Sequence, residues 1–285
     1  MAVSDLSIYQ DKQVAFLTQH GKQTLLRTRI ERALGCQLVH SDAYDTDQLG
    51  TFTHEVVRQG SQYDAARSKA MIGMSLTGLS IGMGSEGAFG PDPFVGLASW
   101  NTEVVLWVDQ ALGIEVQGFA QGPAINFQRS IKTLDELKNF VIEADFPTHA
   151  LNLRPEAAAS LETQKGIRDL EALVQAFHAA RAQSLIGSVV IENDLRAFSN
   201  PTRQAVIQNA TDDLIRKLLC PCPQCAMPGF SLKKKKLGLP CRECGRATQL
   251  AIGEIWHCSS CSYESLKSVN QGELADPSRC DYCNP

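Results

Sequence analysis

Nine of the ten cysteines lie between Cys220 and Cys283, and eight of them form four CxxC pairs: Cys222/Cys225, Cys241/Cys244, Cys258/Cys261 and Cys280/Cys283. A CxxC turn offers two thiolates from one tight knuckle, and zinc takes four soft ligands in a tetrahedron. The eight cysteines therefore suit two closed structural zinc ions. Their confinement to the last quarter, behind a cysteine-poor body, argues against a disulfide scaffold. The segment CRECGRATQLAIGEIWHCSSC reads as a complete ribbon, two knuckles around a β-prone hairpin. A nested arrangement is expected on that basis: Cys241 and Cys244 with Cys258 and Cys261, Cys222 and Cys225 with Cys280 and Cys283. Sequential pairing, first with second and third with fourth, is the alternative. Cys220 and His257 read as neighbours, not ligands.

Three segments of the first half carry other chemistry. His20, Gly21 and Lys22 fall where a first strand meets a first helix, and exposed amides plus a lysine there favour an anion. Glu55, in Gly50-Thr51-Phe52-Thr53-His54-Glu55, has the hardness to hold a divalent cation, with Arg67 and Lys69 on the next helix reaching phosphate. Glu86 stands among glycines in Gly82-Met83-Gly84-Ser85-Glu86-Gly87, where a substrate can approach the backbone closely. A further group, Glu192, Asp194, Arg196, Asn200 and Arg203, lies at a strand end leading into a helix. Asn200 is explained as a cap; Asp194 with Arg196 or Arg203 reads equally as a site or a surface ion pair.

The order HGK, TFTHE, AARSKA and GSEG, over roughly residues 13–120, resembles the inosine/xanthosine triphosphate pyrophosphatase-like proteins. That resemblance implies an α/β fold, Lys22 and Lys69 as phosphate ligands, Glu55 as a magnesium ligand, and Glu86 as a metal ligand or base. Ala65 stands where those enzymes usually carry asparagine, and a single Glu86 replaces their paired acids. The whole chain, with GTFTHE, SEGAFGPDP, NPTR and CDYCNP, resembles a bacterial family classed as a domain of unknown function.

The elements that must position these residues follow from periodicity. Val14 to Thr18 reads as a buried strand, and Leu26, Ile30, Ala33 and Leu34 share a helix face that ends at Gly35. Ser61 with Asp64, and Thr133 with Glu136, read as capping boxes. Strands are expected at Leu79–Met83, Val104–Val108, Ile114–Phe119, Ala150–Leu153 and Ser188–Glu192. A helix is marked by Ile167, Leu170, Val174 and Phe177. Asn200 and Pro201 open a last helix to about Leu219. The fold class is α/β: a layered mixed-sheet domain over residues 1–219, followed by a small β-rich double zinc-ribbon module over 220–285. Cys36 reads as a packed residue at a helix-to-strand turn.

The chain has 285 residues, 44% hydrophobic and 20% charged, with a formal charge of −4. That composition excludes a disordered, collagen-like or coiled-coil protein. No apolar run is long enough for a membrane helix, and MAVSDLSIYQDKQ has no secretory pattern, so a cytoplasmic protein is expected. Residues 220–285 hold eight Lys or Arg and six Asp or Glu. Two zinc tetrathiolates, each about −2, bring this tail to about −2, which counts against counterion-release binding of nucleic acid. The run Lys233–Lys236 is expected at a solvated hairpin tip. Two functions of different class fit: a magnesium-dependent hydrolase of a nucleotide or phosphate ester, and a non-catalytic zinc-ribbon adaptor for nucleic acid or a protein.

Overall fold

The computed structural model describes residues 8–19, 21–46, 60–158, 163–270 and 272–285. The chain divides into two compact units, Met1–Ala111 with Gln117–Leu214, and Leu112–Val116 with Ile215–Pro285.

In the first unit, β1 (Gln13–Leu17) is buried over four of its five residues, as a strand covered on both faces requires. Gly21, at φ 69°, turns the chain into α1 (Lys22–Leu34), whose Lys22, Leu26, Ile30 and Leu34 form the buried stripe, and Gly35 ends it. β2 (Gln37–Ser41) runs parallel to β1. The Ser61–Asp64 capping box starts α2 (Gln62–Thr77). β3 (Ile81–Pro91) then runs parallel to β1, and β4 (Ser99–Asp109) returns antiparallel to β3. With β5 (Ile114–Pro123) the sheet order is β2-β1-β3-β4-β5. The chain steps from β1 out to β2, then back past β1 to β3. Right-handed crossovers of opposite direction place α1 and α2 on opposite faces, so the carboxyl end of β1 is a topological switch point.

The rest of the unit is a separate antiparallel sheet. β6 (Gln128–Ile131), α3 (Leu134–Glu143), β7 (Leu151–Pro155), β8 (Gln164–Ile167), α4 (Leu170–Gln183) and β9 (Val189–Asn193) follow in order, with strands arranged β6-β9-β7-β8. Phe140, Leu151, Leu153, Leu173, Phe177, Val189 and Ile191 form its core. α5 (Pro201–Leu218) follows, with the Asn200 side chain accepting from the Arg203 amide at 2.9 Å. β6 and β8 are not anticipated from the sequence. Ile167, expected in a helix, lies in β8, because Asp169 caps α4 one residue before its start.

The larger correction concerns the glycine-rich segment, where a strand is expected to end at Met83. It is one eleven-residue strand, β3, paired with β4 from Ile81–Asp109 to Pro91–Ser99. Its glycines answer to packing. A Cβ on Gly84 would lie 1.9 Å from the Ala66 carbonyl oxygen of α2, and one on Gly82 would lie 2.5 Å from Met74. α2 therefore sits directly on the backbone of β3, above Ala15, Val104, Leu106 and Val108. Asp92 closes the hairpin beyond. Its carboxylate accepts the Phe94, Val95, Leu97 and Ala98 amides at 2.8–3.0 Å, which hold it well below the usual carboxylate range.

In the second unit, β10 (Ser231–Leu237), β11 (Ala251–His257) and β12 (Glu264–Ser268) form an antiparallel sheet in that order. Lys233–Lys236 thus lie within an edge strand, not at a hairpin tip. Among the described residues no helix is long and apolar enough to cross a membrane.

Gly84→Ala tests the helix-on-backbone packing. The added methyl must displace α2, so urea denaturation is expected to show a loss of about 1–3 kcal/mol or more; unchanged stability would mean that α2 is not seated there.

Candidate functional sites

Five charged side chains gather at the carboxyl end of β1. Lys22, the first residue of α1, donates to Ser85 Oγ at 3.0 Å and lies 3.5 Å from Glu103 Oε2. Arg203, in the first turn of α5, donates from Nε to Glu103 Oε1 at 2.7 Å and from Nη1 to the Leu195 carbonyl at 2.6 Å. Asn101 Nδ2 donates to the same Glu103 oxygen at 3.2 Å and to the Ala88 carbonyl at 3.1 Å. Lys69, on α2, pairs with Glu86 at 2.6 Å. Lys22, Glu86, Glu103 and Arg203 are all nine-tenths or more buried.

Strand alternation explains how β3 serves both groups. Gly82, Gly84 and Glu86 face α2, so Glu86 meets Lys69. Ser85 and Gly87 face the other way, where Gly87 is paired with Glu103. A Cβ on Gly87 would lie 2.2 Å from Glu103 Oε1 and 2.6 Å from Arg203 Nη2, so this glycine is what admits the ion pair. The pairing of β1 with β3 stops at Phe16–Met83. Beyond it Lys22 lies within the fields of Glu86 and Lys69 as well. Burial pushes the Lys22 ammonium down to about 8, partly offset by Glu103 and reinforced by Arg203. Burial alone would raise the Glu103 carboxyl, but Arg203 and Lys22 together hold it below its ordinary value.

Of the residues expected from sequence, Gly21, Lys22, Lys69, Glu86 and Arg203 come to this region. Arg67 is exposed on α2, within the field of Asp64. His20 and Glu55 lie outside the described residues. Asp194 forms a two-pronged pair with Arg196, at 2.9 and 2.6 Å, and not with Arg203. Burial raises the Glu192 carboxyl, which the Asn152 side chain opposes. Glu103 and Asn101 were missed. Their signal is a carboxylate and an amide on the inward positions of NTEVVLWVD, an otherwise apolar strand. Among the described residues, the metal-sized clusters of three or more His, Cys, Asp or Glu are two cysteine sets. The Glu86 carboxylate is taken by Lys69, so the magnesium expectation gains no support here.

Those two cysteine sets correct the expected pairing. Cys222 and Cys225 join Cys258 and Cys261; Cys241 and Cys244 join Cys280 and Cys283. The arrangement is interleaved, neither nested nor sequential. The reason is the three-stranded sheet. Each of the first three knuckles precedes a strand, and each strand of five to seven residues carries the chain on the order of 20 Å to the opposite end. Cys244 and Cys258 flank β11 and cannot share an ion.

Sulfur separations of 3.7 Å for Cys222–Cys261 and Cys225–Cys258, 3.8 Å for Cys241–Cys283 and 3.6 Å for Cys244–Cys280 match the edge of about 3.8 Å in a zinc tetrathiolate. They are far too long for disulfides. The metal-free thiols cannot all ionise together. Amides of Cys283 and Tyr282 bring Cys280 down to about 7, while the Cys244 thiol pushes Cys283 up to about 12. A dication suits four such donors. Cys220 and His257 belong to neither set. Cys36 is buried, and burial pushes its thiol up to about 11, as a packed residue requires.

Interleaving is checked by counting zinc in paired variants. Cys222→Ser with Cys258→Ser is expected to remove one ion per chain, whereas Cys222→Ser with Cys280→Ser removes both; the nested scheme gives the reverse. A second prediction concerns Lys22. The unfolded chain binds more protons than the folded one between pH 8 and the ordinary lysine value of 10.5, so stability through this group rises with pH across that window and is lowest below it. Urea denaturation at about pH 7.5 and pH 10 should show the native chain gaining about 2 kcal/mol on Lys22→Met; a pH-independent difference would contradict the buried ammonium.

No curated protein and no solved structure matches the chain, so the pyrophosphatase-like resemblance gains no structural relative. A protein-family profile does match, over residues 69–285, which takes in α2 from Lys69 onward, Glu86, Glu103, Arg203 and all eight paired cysteines. The chain belongs to the family described as Domain of unknown function (DUF6671).

Proposed function

We propose that the first unit is a hydrolase that binds the phosphates of a nucleotide or another phosphorylated small molecule at the carboxyl end of β1. The observation that supports this reading is a charge imbalance among the described residues, three cations, Lys22, Lys69 and Arg203, against two carboxylates, Glu86 and Glu103. Buried charges are costly unless compensated, and the first turn of α1 adds further positive potential. A phosphate supplies the missing negative charge.

In this reading Glu103 is the fixed counter-charge that orients Lys22 and Arg203. Lys69 leaves Glu86 for a phosphate oxygen, and Glu86, freed of its partner, accepts a proton from the attacking water. The two four-cysteine groups serve as structural zinc centres of the second unit, since the thiolate tetrahedra have no open position for a substrate. Removing zinc with a chelator is then expected to unfold the second unit.

The test offers the zinc-loaded protein inosine, xanthosine and standard nucleoside triphosphates with Mg²⁺ and follows phosphate and pyrophosphate release. Glu86→Gln is expected to reduce turnover about 100-fold or more, and Lys69→Met to raise KM. Absence of release from every nucleotide, together with no phosphate-dependent rise in Tm, would remove the proposal.

A further inference from the structure

Lys233, Lys234, Lys235 and Lys236 are consecutive, extended and exposed on β10, an edge strand. Lys233 pairs with Glu264 at 2.7 Å; the other three have no ion pair among the described residues. An open groove runs beside them, and Lys234–Lys236, Leu237, Ile255, Glu264 and Leu266 are among the residues that line it. Leu237 and Leu266 are 53% and 55% exposed. The register accounts for this face. Lys234 lies opposite Ile255, which lies opposite Leu266, so cationic and apolar side chains stand together.

Consecutive lysines are a poor match to a phosphate backbone lying on one face of a sheet, because alternation sends successive side chains to opposite faces. Each face keeps about two of them, too few for strong counterion release. The aromatic rings that might hold bases are engaged. Phe230, Trp256 and Tyr263 pack on one another, and Lys267 covers Trp256 at 3.7 Å. Arg246 lies 3.6 Å over the Tyr282 ring.

Consecutive lysines do match a ligand that is itself a strand. The pairing of β10 with β11 is irregular at Lys233 and again between Lys236 and Leu237, so a chain added along the regular stretch Lys234–Lys236 alternates in step with it, and each of its successive side chains lies across from one lysine on the same face. A second copy pairing through this strand would set lysine against lysine, which is repulsive. We infer that β10 receives an extended acidic segment of a partner protein, with a run of consecutive Asp or Glu facing Lys234–Lys236 and an apolar residue in the groove over Ile255 and Leu266. This goes beyond the reading of the first unit and does not depend on it.

The experiment uses the full zinc-loaded chain and a fluorescein-labelled ten-residue peptide with a central Glu-Asp-Glu-Glu between valines. Anisotropy is read at low and high salt against two competitors, the same peptide with proline at alternate acidic positions and a 20-nucleotide oligouridine. The acidic peptide is expected to bind at least ten-fold tighter than either competitor and to weaken with salt. Lys234→Glu with Lys236→Glu should abolish binding while two zinc ions per chain are retained. Lys234→Gln with Lys236→Gln gives an intermediate loss if folding of the first variant fails. Equal binding of the proline peptide, tighter binding of oligouridine, or no binding of the acidic peptide each overturns the inference.

Discussion

The first unit depends on one buried carboxylate. Glu103 is fully enclosed in β4, and a lone carboxylate there would be untenable. It is held by Lys22 from α1, Arg203 from α5 and Asn101 from its own strand. Three segments distant in sequence are thereby tied to one point, and each must arrive in register for the charge to be met. Gly87 is part of the same constraint, since any side chain there would occupy the space of the Glu103–Arg203 contact. The pair contributes uniqueness of arrangement as much as stability, because losing one partner leaves the other buried and unpaired.

Much of this architecture was legible before any coordinates. The capping boxes at Ser61 and Thr133, the stripe Leu26–Ile30–Leu34 and the αL stop at Gly35 act locally, so short-range pattern suffices to find them. Lys22 could be singled out by its place where a strand meets a helix, Glu86 by its place among glycines at a strand end, and Lys69 by its place on the helix that follows Glu55. The glycines of β3 were misread for a physical reason. Gly82, Gly84 and Gly87 look like turn residues in isolation, and only the nearness of α2 and of Arg203 reveals that they make room for neighbours in a regular strand. Glu103 was hidden by its setting in an apolar strand, where its partners come from elements about 80 and 100 residues away.

The cysteine tail shows a similar limit. Ligand identity follows from spacing, because the CxxC knuckle is a local structure. Which knuckles meet is a matter of topology, and the hairpin-like look of the central segment concealed that its strand separates the two knuckles flanking it. The sheet, not loop length, decides the partners.

Interleaving has a consequence for how the two four-cysteine groups would take up metal. The span closed between Cys222 and Cys261 encloses Cys241 and Cys244, half of the other centre, while the span from Cys241 to Cys283 encloses Cys258 and Cys261. Capture of either ion therefore shortens the flexible path that the other must close, lowering its entropic cost. Uptake and release of two such ions would then be thermodynamically linked, with a singly loaded chain disfavoured relative to the empty and full forms.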